Sequence, residues 1–366
     1  MRLTLFLDHL CNLDCSYCYN GQKFSRPMSA EVARRAVELV FQSGHKLDQL
    51  GFFGGEPLLH LPLMEQISLF AREQSLPSAS KCLLVVTTNA TLISQEAAAR
   101  LKALQFHVGI SLDGIAPAHN ACRRYKGGAD SHEAVERGLK NALAAGLPVK
   151  VISVVDPANV DFMADNLSYL LDLGVKHISI NINYEAPWND EARERFKLSL
   201  RALADRYIEE YRQNRRFQLN ILDAKIITHV KGGFSCGDRC DFGCEEWAVS
   251  PTGLIYPCDR LIGEDNREDV VIGDIKSGID TQRRDALIQK KNALLQECMD
   301  CDLVHRCMHW CGCVNYAMTG SVGEVSGVLC WFEQTLIQEA DRAAEILFEE
   351  KIPGFINRFY KHTINA

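Results

Sequence analysis

Short, almost wholly apolar runs alternate with longer amphipathic stretches through the first half of the chain. The runs are Leu3–Leu7, Leu50–Phe53, Leu83–Thr87, His107–Ser111, Val149–Val155 and His177–Ile182. Their brevity and β-branched content predict parallel strands buried on both faces. Helices are predicted between them over Ala30–Ser43, Leu63–Gln74, Gln95–Leu104, Glu133–Ala145 and Val160–Leu173. Ser29 stands where an N-cap belongs, and Gly146 and Gly174 stand where C-terminal caps belong. Six βα units at intervals of roughly 30–40 residues predict a parallel α/β barrel, open or closed. Chemistry in such folds collects at the C-terminal ends of the strands.

The pattern changes twice further on. From Asn189 to Val230 it is helical and strongly charged, a bridge between halves. Beyond Gly232 strand periodicity fades, and ten of the fifteen cysteines fall between Cys236 and Cys330. The expected domains are a barrel over residues 1–188, a helical bridge over 189–232, a small metal-organised domain over 233–332 and a C-terminal segment over 333–366. A final helix, about Phe332–Glu350, is expected to pack back on the barrel.

Composition narrows the classes. The 366 residues are 47% hydrophobic and 24% charged, with a net charge of -7 and a pI near 5.9. That balance offers no general field for nucleic acid or anionic membrane. Arg212, Arg215 and Arg216 read as a solvated helix end. No run reaches the ~20 apolar residues of a membrane helix. Leu3–Leu7 is cut off by Asp8 and His9 and reads as a strand, not a secretion signal. A cytoplasmic location is expected, where thiols stay reduced. An odd, clustered set of fifteen cysteines then points to metal ligation and away from a disulfide framework. Cys82 and Cys122 lack suitable neighbours and read as small apolar residues.

The first predicted strand leads directly into Cys11-Asn12-Leu13-Asp14-Cys15-Ser16-Tyr17-Cys18, a C-x3-C-x2-C spacing. A structural zinc site wants four ligands. An iron–sulfur cube held by three cysteines keeps one iron open for something else. After the second strand comes Gly54-Gly55-Glu56-Pro57. Two glycines let backbone approach a ligand closely. Their amides and carbonyls are expected to be free to bind a small charged group, with Glu56 as a fixed negative charge.

Cys11, Cys15 and Cys18 with Tyr17, followed by Gly54, Gly55, Glu56 and Pro57, resemble the radical S-adenosylmethionine (SAM) superfamily. The resemblance covers residues 1 to about 185. It implies an α/β fold with a partial (β/α)6 barrel, a [4Fe–4S] cluster on the three cysteines, and S-adenosylmethionine chelating the open iron. One electron would then release a 5′-deoxyadenosyl radical that abstracts hydrogen from a substrate. Thr88-Asn89-Ala90-Thr91 resembles the family's Thr-Asn-Gly-Thr turn, departing at Ala90. Ser111-Leu112-Asp113-Gly114 resembles its ribose- and carboxylate-facing segment. His119, Arg123, Gly128 and Ser131 follow a maturase-like spacing, with Asn120 and Asp130 departing from it. Arg123 is the candidate for gripping the S-adenosylmethionine carboxylate bidentately, and Arg124 is its competitor.

Cys298-x2-Cys301-x5-Cys307-x3-Cys311 and Cys330, preceded by Cys240 and Gly253-x4-Cys258, resemble the seven-cysteine SPASM pattern. The resemblance implies two auxiliary [4Fe–4S] clusters, hence three in all. Cys240, Cys244, Cys258 and Cys311 would hold one, and Cys298, Cys301, Cys307 and Cys330 the other. Cys236 and Cys313 are spare, as an alternative ligand or a reactive thiol. Paired four-cysteine zinc sites are the bland alternative. Asp259, beside Cys258, resembles the aspartate that acts as a base in anaerobic sulfatase maturases; a polar turn residue is the competing reading.

The resemblance implies an oxidoreductase that modifies a ribosomally made peptide or protein, such as a thioether or carbon–carbon cross-link. Formylglycine formation on a sulfatase is the alternative; epimerisation with Cys313 as hydrogen donor is a third. A non-catalytic electron carrier or zinc scaffold is the reading from a different class. Expected partners are the peptide or protein substrate and a low-potential donor of flavodoxin or ferredoxin type. With the barrel beginning at Leu3, no N-terminal leader-binding domain is expected, and leader recognition is expected to use either a separate leader-binding protein or the surfaces of the barrel and the SPASM-like domain.

Overall fold

The structure is a computed structural model that describes residues 1–75 and 81–360. Its strands, in chain order, are β1 (Arg2–Phe6), β2 (Gln49–Phe53), β3 (Leu83–Thr88), β4 (His107–Ser111), β5 (Val149–Val155), β6 (His177–Ile182), β7 (Gln218–Leu219), β8 (Glu246–Val249), β9 (Leu254–Tyr256), β10 (Gly273–Asp274) and β11 (Gly278–Ile279). Its helices run α1 (Ala30–Gln42), α2 (Leu61–Ser75), α3 (Gln95–Ala103), α4 (Ala116–Cys122), α5 (His132–Ala144), α6 (Met163–Asp172), α7 (Asp190–Arg212) and α8 (Asn220–Lys231). They continue with α9 (Thr281–Asn292), α10 (Gln296–Met299), α11 (Gly312–Thr319), α12 (Gly327–Glu349) and α13 (Pro353–Phe359). Two units divide the chain, and each is discontinuous in sequence.

The first unit comprises Met1–Ser111, Arg123–Val149 and Cys240–Lys290. β8, β1, β2, β3 and β4 lie side by side in parallel, with Leu3 opposite both Leu50 and Trp247. β9, β10 and β11 extend the β8 side in antiparallel fashion. Leu3, Leu5, Phe6, Phe52, Phe106 and Trp247 are fully buried, as two-sided parallel strands require. The fading of strand character expected beyond Gly232 is corrected here. Glu246–Val249 is a strand, and it flanks β1. Parallel pairing brings the C-terminal ends of β1 to β4 to one edge. α1 opens as expected, with the Ser29 Oγ accepting from the Val32 amide at 3.1 Å.

The second unit comprises Leu112–Cys122, Lys150–Arg239 and Lys291–Ala366. β5, β6 and β7 pair in parallel, so the expected helical bridge also supplies a short strand. α12 packs on α7 and α8, which places the final helix against the bridge. It starts at Gly327, capped by Ser326, five residues before the expected Phe332. Cys330 therefore lies in its first turn. Trp188, Phe196 and Phe332 meet edge-to-face at 4.7–5.7 Å, an arrangement aromatic quadrupoles favour. The Lys225 ammonium and the Glu333 carboxylate, both buried, pair at 2.5 Å. Arg212 pairs with Glu350 and Arg215 with Asp172, as a solvated helix end would. Among the described residues, no helix is long and apolar enough to cross a membrane.

Candidate functional site

β1 hands the chain to the loop carrying Cys11, Cys15 and Cys18. The Asp14 amide donates to the Arg124 carbonyl at 2.8 Å, Leu13 bridges Tyr125, and the Cys18 amide closes onto the Cys15 carbonyl at 3.1 Å. Every sulfur then faces a donor. Cys11 Sγ receives the Leu13 amide at 3.4 Å and Asn89 Nδ2 at 3.7 Å. Cys15 Sγ receives Arg123 Nη1 at 3.9 Å, and Cys18 Sγ receives Lys23 Nζ at 2.7 Å. Two cations and two neutral N–H groups around three sulfurs suit thiolate ligands of an iron–sulfur cluster. Burial pushes the Cys11 thiol up to about 11; the Leu13 amide opposes the rise, Glu56 and Cys15 add to it, and Lys23 opposes it. A bound metal is what would hold that sulfur anionic at neutral pH.

The Gly54–Pro57 segment corrects an expectation. The Gly55 and Glu56 amides are engaged with the loop, not free for a ligand. The Gly55 amide donates to the Asp8 carbonyl at 2.7 Å and the Glu56 amide to the Leu10 carbonyl at 3.0 Å. The Gly54 carbonyl accepts from Asn20 Nδ2 at 2.9 Å. A Cβ on Gly55 would stand 2.1 Å from the Leu10 carbonyl oxygen, which is why glycine sits there. Glu56 turns inward. It accepts from the Leu58 amide at 3.0 Å, the Thr88 hydroxyl at 2.6 Å and the Asn89 amide at 2.8 Å. Burial raises its pKa, and those three donors oppose the rise. The carboxylate thus ties β2's end to β3's end, and Pro57 opens the short 3-10 turn that follows.

Asn89 bridges onward. Its Nδ2 reaches Asn12 Oδ1 at 2.8 Å as well as Cys11, and its Oδ1 accepts from the Thr91 amide at 3.0 Å. Ala90, where the family motif has glycine, holds a left-handed φ of 62°. Ser111 ends β4 at the same edge of the first unit. In the second unit, Asp113 is fully buried and accepts from the Val154 amide at 2.9 Å. Arg123 is 8% exposed, and its guanidinium carbon lies 5.0 Å over the Tyr17 ring. Its competitor Arg124 turns to the Gly128 carbonyl at 3.0 Å and Asp130 at 3.4 Å, within its own turn.

Sequence reasoning missed Tyr19, Lys23 and Arg260. Tyr19 stacks on Phe53, centroids 6.1 Å apart, and the Arg260 guanidinium carbon lies 4.8 Å over its ring. Burial lifts the Tyr19 phenol well above its ordinary pKa; neighbouring Asp259 adds to the rise and Arg260 opposes it. Asp259 Oδ1 accepts from the Arg260 amide at 3.0 Å and lies 3.5 Å from Cys258 Sγ. Burial raises the Asp259 pKa, against Cys258 and Arg260. A carboxylate with a raised pKa beside a cysteine takes up a proton more readily than an ordinary aspartate. The position of Tyr19 directly after Cys18 was the available signal.

Residues 9–161 match the family described as the radical SAM superfamily, a span that contains the cysteine loop, Gly54–Pro57, Asn89 and Arg123. This segment is a radical SAM domain. Over a longer span, the chain is 23% identical to the cysteine-type anaerobic sulfatase-maturating enzyme of Clostridium perfringens, covering 82% of this chain and 85% of that protein. An uncharacterized protein of Methanocaldococcus jannaschii is 31% identical over 50% of the chain, which spans 62% of that relative's length. Among solved structures, native anSMEcpe with bound AdoMet and a Cp18Cys peptide superposes with a TM-score of 0.80 at 21% identity, covering 95% of this chain and 99% of that one. Streptococcus suis SuiB bound to precursor peptide SuiA gives 0.61 at 14% identity, covering 90% and 75%. The fold is therefore the radical SAM α/β fold with a cysteine-rich C-terminal part.

Beyond the radical SAM domain, the cysteines divide between the units. Cys240, Cys244 and Cys258 belong to the first, where Gly253, at φ +91°, turns β8 into β9 ahead of Cys258. Cys311 belongs to the second, with its Sγ 3.6 Å from that of Cys313. Cys298, Cys301, Cys307 and Cys330 all lie in the second unit. Burial raises the Cys330 thiol, with Cys298 and Cys301 adding. It raises Cys307 too, with Glu333 and Cys330 among its neighbours. Cys330 thus has Cys298 and Cys301 as charged neighbours, and Cys307 has Cys330. Among the described residues, no three His, Cys, Asp or Glu side chains form a single-ion cage. The Cys236 side chain lies outside the described set. Cys122 is buried and Cys82 half-buried.

Proposed function

We propose that the chain is a radical SAM maturase that oxidises a side chain of a peptide or protein substrate, with Asp259 as the base. The juxtaposition of Tyr19 and Asp259 carries the reading. Support comes from Arg260, the residue after Asp259, whose guanidinium carbon lies 4.8 Å over the Tyr19 ring and so brings the proposed base near the residue that follows Cys18. When bound, the cluster and S-adenosylmethionine would supply a 5′-deoxyadenosyl radical and remove one hydrogen atom from a carbon of the substrate.

The protein's own part is positional. Arg123 and Tyr17 would grip the S-adenosylmethionine carboxylate side. Asp259 would take the proton from the substrate's heteroatom, and the remaining electron would leave toward the auxiliary centres. The net loss is two hydrogens, one as an atom and one as proton plus electron. A thioether or carbon–carbon cross-link follows if the oxidised carbon is trapped by a second side chain. Formylglycine follows if water traps the thioaldehyde from a cysteine and hydrogen sulfide departs. Likeness to the sulfatase-maturating enzyme over most of both chains favours the second outcome. A low-potential flavodoxin or ferredoxin would supply the priming electron, and three clusters would bring about 12 iron per chain.

The deciding experiment incubates the reconstituted chain with S-adenosylmethionine, reductant and either a cysteine-type sulfatase peptide or short precursor peptides. Mass spectrometry distinguishes an aldehyde from a cross-link. 5′-Deoxyadenosine without any modified peptide across these panels would remove the maturase reading.

A further inference from the structure

Three sulfurs anchor the proposed cluster, but their surroundings differ. Cys11 receives neutral N–H donors, and Cys15 a guanidinium at the edge of contact. Only Cys18, among the described contacts of the three, has an ammonium in close contact, Lys23 Nζ at 2.7 Å. That nitrogen also donates to the Gly21 carbonyl at 3.0 Å.

The segment that delivers Lys23 is fixed at several points. Asn20 Nδ2 is tied to the Gly54 carbonyl at 2.9 Å. The Gln22 amide donates to Glu264 Oε1 at 3.0 Å. Gly21 holds a φ of +71°, and a Cβ there would come within 2.6 Å of the Glu264 side chain. Glu264 itself follows Cys258 and Asp259 by a few residues. The lysine is therefore held over Cys18 by the turn that follows the segment bearing the proposed base.

We propose that Lys23 is a tuning residue that raises the reduction potential of the centre held by Cys11, Cys15 and Cys18. The physical ground is direct. Reduction adds negative charge to a thiolate-ligated cluster, and a fixed cation hydrogen-bonded to one sulfur stabilises the reduced form more than the oxidised one. Half-buried Lys23 is screened less than a surface lysine. Reduction by an external donor becomes easier by the same amount. Glu264 acts one step further out, by positioning the segment that carries the lysine.

The inference rests on the radical SAM reading, and one titration separates the two. The full chain is reconstituted anaerobically, and EPR-monitored titration follows the cluster whose signal changes on adding S-adenosylmethionine. Absence of any such signal in the unaltered chain would refute the cluster reading itself. With that signal present, Lys23→Met is expected to lower its midpoint so that reduction is disfavoured about tenfold, 59 mV for a one-electron couple. Lys23→Arg should recover most of the shift, because it keeps the charge. Glu264→Ala leaves lysine and cysteines in place and should give a smaller fall; it serves as the test if Lys23→Met fails to load iron. An unchanged midpoint in Lys23→Met, or in Glu264→Ala where that variant serves as the test, overturns the proposal. Weaker S-adenosylmethionine binding at constant potential does so too, by making Lys23 a substrate-gripping residue.

Discussion

The Arg260 guanidinium carbon lies 4.8 Å over the ring of Tyr19. Tyr19 follows Cys18 directly, and Arg260 stands two positions beyond Cys258. Two cysteine-bearing turns, remote in sequence, are thereby in contact within one unit. A cation over a phenol ring contributes on the order of 0.5–2 kcal/mol, the upper end when desolvated. The contact anchors the segment that carries Asp259, the proposed base, beside the turn that carries Cys18.

Asp259→Asn is expected to spare 5′-deoxyadenosine formation and cut modified peptide by roughly 10²–10⁴-fold, the usual worth of a positioned base. The pH profile follows from the sign of the shift. Burial raises the Asp259 pKa, so the basic form is lost as pH falls through a value above that of an ordinary aspartate. Product formation should therefore drop in mild acid while cleavage of S-adenosylmethionine does not. Parallel loss of both would take Asp259 out of the proton-transfer role.

Gly55→Ala is expected to destabilise the chain by about 1–3 kcal/mol, because the added methyl meets backbone with no room to move. Its Cβ would stand 2.1 Å from the Leu10 carbonyl oxygen, one residue from Cys11. Gly44→Ala is the control. Its Cβ would meet nothing within 4 Å, although its φ is +78°, so only backbone strain of about 1–2 kcal/mol applies. Iron content should separate them. Gly55→Ala should lose iron, and Gly44→Ala should keep it.

The contrast between these glycines marks what the sequence could reveal. β1 to β6 were legible to within about one residue because each is a short apolar run between capped helices. The three-cysteine loop was legible because its spacing is local. The engagement of the Gly55 and Glu56 amides was not, since their acceptors Asp8 and Leu10 come from another strand's end. β8 escaped for a similar reason. Glu246–Val249 has four residues, two of them Glu and Trp, and only pairing with β1 and β9 makes it a strand. Tyr19 and Arg260 acquire meaning only through each other.

The cysteine sets should separate by iron count and by reaction. Replacing Cys11, Cys15 and Cys18 with Ala is expected to remove about four iron and abolish 5′-deoxyadenosine formation. Replacing Cys298, Cys301, Cys307 and Cys330 should also remove about four iron, but leave S-adenosylmethionine cleavage and suppress product. Tightly bound zinc in place of iron in the second set would overturn its assignment as a cluster site. The Glu333 carboxylate would then face an altered neighbour, since it influences both Cys307 and Cys330.

Arg123 and Arg124 are adjacent in sequence, yet the structure gives them different work. Arg123 is buried over Tyr17 and reaches Cys15, whereas Arg124 serves its own turn through Gly128 and Asp130. A guanidinium's planar fork can meet a carboxylate through two hydrogen bonds, and an ammonium cannot. Arg123→Lys is therefore expected to weaken S-adenosylmethionine binding about tenfold, or 1.4 kcal/mol. Arg124→Lys should leave it essentially unchanged, because its ion pair with Asp130 is exposed and weak. Equilibrium binding to the reconstituted chain measures both. Equal effects from the two variants would return the choice between these arginines to where the sequence left it.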